Sequence, residues 1–267
     1  MLRGYGGARA SSSKPRPCSD TQRGIRDLKV SFNIDREVLS EFPDAQVRFV
    51  AAYGLQNARP WPDVAKQLQG VEERVASGEW QPFQETDLAI ASWHDAYRRF
   101  GTNPRKFRPS IDALNRRLTR SGQLPRISPA VDAYNLISVT FGVPAGAFDA
   151  SGLTHQVMIR FARPGDSFTP LGEPNVVEEP NSGEVVYAQG SQVLTRHWNY
   201  RDSDNTKVTE ESRTVVFILE RISAAAISSR QMTEAQSALA EFIQPHADRV
   251  ALAAIDATAP VADVLGR

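Results

Sequence analysis

The run Thr214-Val215-Val216-Phe217-Ile218-Leu219 constrains this fold more than any other segment. It is strongly apolar and rich in β-branched residues, the pattern of a central strand. A chain that carries such a strand must build a sheet around it. Other strands follow from alternation. Leu28-Lys29-Val30-Ser31-Phe32 and Val47-Arg48-Phe49-Val50 flank a short helical piece. After Pro144 the period shifts to strands at 157–161, 184–187 and 193–196.

Helices occupy much of the remainder. A polar helix begins near Pro62 and ends at Ser77-Gly78, and Ile90, Trp93, Tyr97 and Phe100 recur at helical spacing before Gly101. Pro109 suits the first turn of the next helix, whose Ile111, Leu114 and Leu118 form a narrow stripe. Ser128-Pro129 opens a helix that is apolar most of the way round from Val131 to Phe141, and such a helix is buried. A last amphipathic helix places Met232, Ala235, Leu239, Phe242 and Ile243 on one face. The Ala/Val-rich stretch from Val250 reads as helix or tail. The fold class expected is α+β, with helices packed on a mixed or antiparallel sheet.

Residues 1–24 are rich in Gly, Ser, Pro and Arg, and read as a disordered leader or an upstream stretch added by start-codon choice. A main domain is expected over 25–229, with a C-terminal helix and tail over 230–267. With 267 residues, 41% hydrophobic and 23% charged, most of the chain can bury a core. The formal net charge of zero argues against bulk-charge coating of nucleic acid, DNA included, but leaves room for a local basic face. The one cysteine, Cys18, has no partner for an internal disulfide. No run reaches the length of a membrane span and the N-terminus lacks a signal-peptide core, so the cytosol is the default.

Familiar catalytic signatures are missing. No glycine run has the form of a phosphate loop or a dinucleotide turn, and no nucleophile-elbow serine occurs. His94, His155, His197 and His246 lie far apart and outside metal-binding spacing, so no metal or other cofactor is expected. Three constellations remain. Arg98, Arg99, Arg105, Lys106, Arg108, Arg116, Arg117, Arg120 and Arg126 face a single acid, Asp112, with Tyr97, Phe100 and Phe107 interleaved. Such charges bind phosphate oxygens, although a solvated helical face has the same composition. Trp198-Asn199-Tyr200-Arg201-Asp202-Ser203-Asp204-Asn205-Thr206 is a dense polar loop between strands, a common place for a ligand. It also fits a solvated hairpin tip, which two large aromatics argue against. Glu220 closes the most apolar strand and either emerges into solvent or points into a pocket. From residues alone, the reading stops at an α+β protein that binds a ligand or RNA.

The segments Ile127-Ser128-Pro129-Ala130-Val131-Asp132-Ala133-Tyr134-Asn135 and Phe141-Gly142-Val143-Pro144-Ala145-Gly146-Ala147-Phe148-Asp149 resemble the editing domain of the phenylalanyl-tRNA synthetase beta subunit. Asn103 to Ile111, Gly183 to Ala188, Trp198 to Arg201 and Thr206 to Glu211 are similar to free-standing members of that family, in the same order. The resemblance covers roughly residues 90–225. It implies trans-acting, metal-free hydrolysis of misacylated aminoacyl-tRNA, including tyrosine-like side chains. A non-catalytic module for tRNA or an amino-acid-like ligand is the alternative, and an interaction protein using the C-terminal helix is a third. The resemblance implies a pocket with Glu220 and Asn135 inside, Pro144 and Gly146 shaping the wall, and Trp198, Asn199, Arg201 and Asp204 beside the mouth. Arg105, Lys106, Arg108, Arg116 and Arg117 would engage tRNA. A gap-free alignment from Thr209-Glu210-Glu211 puts Ile218 at the specificity carboxylate; Glu220 is reached by a two-residue shift, which keeps the same strand face. Gly146 stands where the synthetase pattern has histidine.

Overall fold

Thr214–Arg221 forms a strand in which all eight residues are buried, as its apolar run requires. The computed structural model describes residues 29–266, so the expected leader at 1–24 and Cys18 lie outside the described residues. The chain begins β1 (Val30–Ile34), α1 (Arg36–Glu41), β2 (Gln46–Tyr53), α2 (Pro62–Ser77), α3 (Leu88–Arg99), α4 (Ser110–Ser121) and α5 (Pro129–Phe141). It continues with β3 (Ala145–Asp149), β4 (Gln156–Phe161), β5 (Ser167–Phe168), β6 (Val185–Gln189), β7 (Gln192–Arg196), β8 (Arg201–Asp202) and β9 (Thr214–Arg221). The last elements are α6 (Ser229–Ile243), β10 (Arg249–Asp256) and β11 (Val261–Leu265).

A four-stranded antiparallel sheet in the order β10-β2-β9-β3 lies against a seven-stranded mixed sheet in the order β11-β1-β4-β6-β7-β5, with β8 paired to β7. Alternation along β9 explains the layering. Val216 and Ile218 join Phe32, Phe49, Ile159 and Leu194 between the two sheets. Val215, Phe217 and Leu219 turn the other way, onto Leu68 of α2, Ile137 of α5 and Leu239 of α6. A strand buried on both faces thus has a sheet on one side and helices on the other. The architecture is α+β, with helices packed on one sheet of a mixed and antiparallel pair.

The Ala/Val-rich stretch from Val250, expected as helix or tail, is instead the β10–β11 pair. Alanine favours helix locally, but β10 pairs with all of β2 from Gln46 to Tyr53, and that ladder overrides the propensity. β11 pairs with β1, so the two strands close an edge of each sheet. Gln236 of α6 ties the helical layer down, donating to the carbonyls of Phe49 and Ala253. Pro109 sits one residue before α4 in extended geometry rather than within its first turn. The narrow stripe of α4 works because Asp112 and Asn115 are buried beside Ile111 and Leu118. Asn115 accepts from the Phe83 N–H, and Asp112 accepts from Arg108.

α5 and β3 place much of the candidate site. Asn57 accepts from the Ala130 N–H and donates to Ser128, satisfying the buried start of α5. Gly142 ends the helix at φ 70°, where a Cβ would come 3.0 Å from Phe83. The left-handed turn and Pro144 then send the chain into β3, which pairs with β9 so that Gly146 lies opposite Ile218.

Candidate functional site

A cavity of about 250 Å³ opens beside edge strand β3. Ser110, Ala113 and Leu114 of α4 line it with Val131, Tyr134 and Asn135 of α5. Ala145 and Gly146 of β3, Ile218 and Glu220 of β9, and Thr195, Trp198, Asn199, Tyr200 and Asp202 of the β7–β8 segment contribute most of the rest, with Pro125 and Ile127 from the loop before α5. Its size lies near the small end of ligand sites, which run from about 300 to 1,000 Å³. The walls are mostly apolar, with a few polar groups converging.

Glu220 is 1% exposed. The Tyr187 hydroxyl donates to its Oε1, and the Asn199 amide donates to Oε2 at 2.9 Å. The Trp198 indole N–H approaches the same carboxyl without reaching hydrogen-bond geometry. Burial pushes the Glu220 carboxyl up to about 8, against the opposing pull of its donors. Burial also raises Asp202 to about 6, with Thr195 donating to Oδ1 at 2.8 Å. At neutral pH Asp202 is therefore the ionised member of the pair and Glu220 largely the neutral one. The hydroxyls of Tyr187 and Tyr97 are held well above the ordinary tyrosine value, chiefly by burial, and remain protonated donors.

This pair has a consequence for stability. Both carboxyls titrate higher in the folded protein than in the unfolded chain, so between the two values the folded state holds more protons. Their contribution is fully present below the unfolded carboxylate range and is lost as the pH rises through about 8 for Glu220. At about 1.4 kcal/mol per pKa unit, the Glu220 proton contributes on the order of several kcal/mol. The midpoint of thermal unfolding is expected to fall between about pH 5 and pH 8.5, and Glu220→Gln to flatten that decline. Parallel profiles for the two proteins would refute the assignment.

A strained turn holds the cavity roof. His197 and Trp198 adopt φ 47° and φ 70°, left-handed geometry that costs a non-glycine residue about 1–3 kcal/mol. Packing offsets this: the Trp198 ring meets Phe42 and Trp93 edge-on, with centroids 5.3 and 5.5 Å apart. The His197 ring packs on Phe107 at 4.2 Å, and its Nδ1 lies 2.9 Å from Thr102 Oγ1. Burial lowers the His197 pKa to about 4, so the ring is neutral at physiological pH. The turn aims Asn199 at Glu220, and the Asn199 carbonyl accepts from the Ser110 N–H at the start of α4. Tyr97 completes the network by donating to Asn199 Oδ1 at 2.8 Å.

α4 joins the cavity to a second concavity. Ala113 lines both, and on the far side Arg108, Arg116, Arg117, Arg120 and Ser121 surround about 400 Å³. Arg108 is held by Asp112 at 3.0 Å, and Arg116 stands 3.8 Å from Glu85. Among the described residues no ion pair engages Arg117 or Arg120. The helix thus carries an open basic groove that adjoins the cavity at Ala113, a geometry suited to phosphate oxygens.

The residues singled out from sequence separate cleanly. Glu220, Asn135, Gly146, Trp198 and Asn199 meet in one cavity, and Ile218 joins them. Pro144 stands behind the wall, its carbonyl accepting from the Glu220 N–H at 3.0 Å. Arg201 and Asp204 lie outside the cavity lining. Arg201 pairs with Glu173 at 2.6 Å, and Asp204 binds Lys207 and the Gly172 N–H. Alternation along β8 turns Asp202 inward instead, and Thr195 marks its place. Arg108, Arg116 and Arg117 line the groove; Arg105 and Lys106 are exposed apart from it, Lys106 resting over the Phe107 ring. Sequence alone does not single out Asp202, Tyr187 or Tyr97 as site residues. Period-two parity from Thr195 could not flag Asp202, because a turn with two left-handed residues intervenes. Among the described residues, no group of three or more His, Cys, Asp or Glu could hold a metal, and no helix is long and apolar enough to cross a membrane.

A family model described as the B3/4 domain matches residues 92–259. The chain is 44% identical over 69 residues to the phenylalanine–tRNA ligase beta subunit of Nitrosospira multiformis, covering 24% of this chain and 9% of that protein. It is 43% identical over 82 residues to the same subunit of Nocardia farcinica, covering 28% of this chain and 10% of that one. The match therefore spans a tenth or less of the length of these relatives. An N-terminal fragment of the phenylalanyl-tRNA synthetase beta subunit from Pyrococcus horikoshii aligns with TM-score 0.39 and 13% identity, over 80% of this chain and 50% of that one. The kinship carried by the ordered motifs is present in the family and sequence matches.

Proposed function

This chain belongs to the B3/4 domain family, and from that membership we propose that it binds aminoacylated tRNA and hydrolyses a misplaced aminoacyl ester in its cavity. The observation that carries the reading is the juxtaposition across α4: a buried carboxyl in a small cavity, and an arginine groove that adjoins it at Ala113. An amino-acid side chain fits the cavity, and the phosphate-rich acceptor end fits the groove. Glu220, buried and largely neutral, donates or accepts, so a side-chain hydroxyl reaching the floor has a partner. A side chain without that hydroxyl makes no contact with the carboxyl, which keeps only its Tyr187 and Asn199 partners, so the floor favours the hydroxylated side chain.

Hydrolysis adds water to the ester carbonyl and breaks its bond to the terminal ribose oxygen, which takes up a proton. Free amino acid and tRNA leave. The Asn135 carboxamide lies in the lining and can orient the carbonyl or the attacking water. An aminoacyl ester is already activated, and positioning alone can supply much of the rate. Gly146, where the resembling pattern has histidine, favours a second reading, a module that binds tRNA or an amino-acid-like ligand without turnover.

Deacylation assays on a panel of misacylated tRNAs separate the two. The first reading expects hydrolysis of a tyrosine-like ester well above the uncatalysed rate. Background hydrolysis throughout, together with salt-sensitive tRNA binding, would leave the binding module standing and remove the enzyme.

A further inference from the structure

The groups that line the cavity include two carboxyls and, among the described residues, no arginine, lysine or histidine side chain. This contrasts with the adjoining groove, which is rich in arginine. The two carboxyls are engaged differently. Glu220 is occupied on both oxygens, by the Tyr187 hydroxyl and the Asn199 amide. Asp202 is occupied on one: Thr195 donates to Oδ1, and no donor among the described residues reaches Oδ2. Oδ2 lies 4.0 Å from the place a Cβ on Gly146 would take, so it faces the wall that β3 gives the cavity. A half-buried carboxylate with an open oxygen and no protein cation beside it is poorly compensated. A cationic ligand group supplies what is missing.

We infer that Asp202 is the acceptor for a ligand ammonium, so that the cavity takes aminoacyl groups with a free α-amino group and rejects N-acylated ones. The inference rests on the aminoacyl-ester reading and deepens it. Such a ligand has three handles of different chemistry. Its side chain meets Glu220, its phosphate-bearing end meets the arginines of α4, and its ammonium is left for the remaining anion, Asp202. A charge-assisted N–H···O bond of this kind is about twice as strong as a neutral one. N-acylation removes the charge and adds bulk beside β3, where Gly146 lies opposite Ile218. The cavity thereby distinguishes an aminoacyl-tRNA from a peptidyl- or formyl-blocked one by chemistry rather than by size alone.

Two matched pairs of probes test this on the full chain. Tyrosyl-tRNA and its N-acetyl derivative are compared in deacylation, and tyrosinamide and N-acetyl-tyrosinamide in binding by titration. The free amine is expected to be preferred by at least about tenfold in each pair, and Asp202→Asn to abolish that preference. The wild-type comparison needs no variant to fold. Equal handling of free and N-acetylated probes by the wild-type chain, or a preference that survives in Asp202→Asn, overturns the inference while the ester reading stands. Failure of every probe to bind or react overturns both.

Discussion

Replacing Glu220 with alanine is expected to reduce the preference for tyrosyl over phenylalanyl esters to within about tenfold. Glu220 is already held by Tyr187 and Asn199, so the preference it supplies is the added contact with the substrate hydroxyl, and alanine removes that contact. Without the Glu220 carboxyl, the remaining walls, Ile218, Val131 and Ala145 among them, separate the two side chains only by packing. The alanine variant also leaves the Tyr187 hydroxyl and the Asn199 amide facing a void, at about 1–3 kcal/mol for each unsatisfied group. Glu220→Gln is the companion variant, since it keeps the volume. The measurement is kcat/KM on matched misacylated tRNAs, alongside thermal unfolding of each protein. A hydroxyl preference that is unchanged in folded Glu220→Ala would remove Glu220 from the recognition step.

The second large effect is on the groove. Substituting Arg116, Arg117 and Arg120 together by alanine is expected to lower the salt slope of tRNA binding by about two to three units, near 0.7–0.9 for each phosphate no longer neutralised. Arg117 and Arg120 are exposed, and Arg116 is held only at 3.8 Å from Glu85, so the fold is expected to lose little. Arg108 is left intact because its bond to buried Asp112 ties down the start of α4. Binding is measured across a range of salt concentrations. A slope equal to that of the wild-type chain would show that these arginines meet no phosphate, and the composition would then be that of a solvated helical face.

Much of the fold was legible along the chain, for a local reason. α6 carries its apolar residues at helical spacing, α5 is apolar most of the way round, and the apolar run of β9 is buried from end to end. The strands that escaped notice lack such a signal. β3 reads Ala-Gly-Ala-Phe-Asp, with no β-branched residue, and β10 mixes three alanines with Val250, Leu252 and Ile255, so neither shows a strong local preference. Both become strands because a partner is waiting: β3 along β9, and β10 along β2. The site divides in the same way. Glu220 stood out as a carboxyl at the end of an apolar strand, and parity alone put Ile218 on its face. Asp202 did not stand out from Asp204 two positions on. Which of them turned inward depended on the β7–β8 pairing and on Thr195 across from it.

Sequence by itself determined the main helices, the apolar run of β9 and the clustering of arginine along α4, because each depends on neighbours within a few residues. Tertiary structure decided that Asn135, Gly146, Asp202 and Glu220 share a cavity, since they come from four elements joined only by long-range ladders and packing. It also decided their protonation. Isolated in a sequence, Glu220 and Asp202 are ordinary carboxylates; enclosed between the sheets they lose water, and burial pushes one to about 8 and the other to about 6.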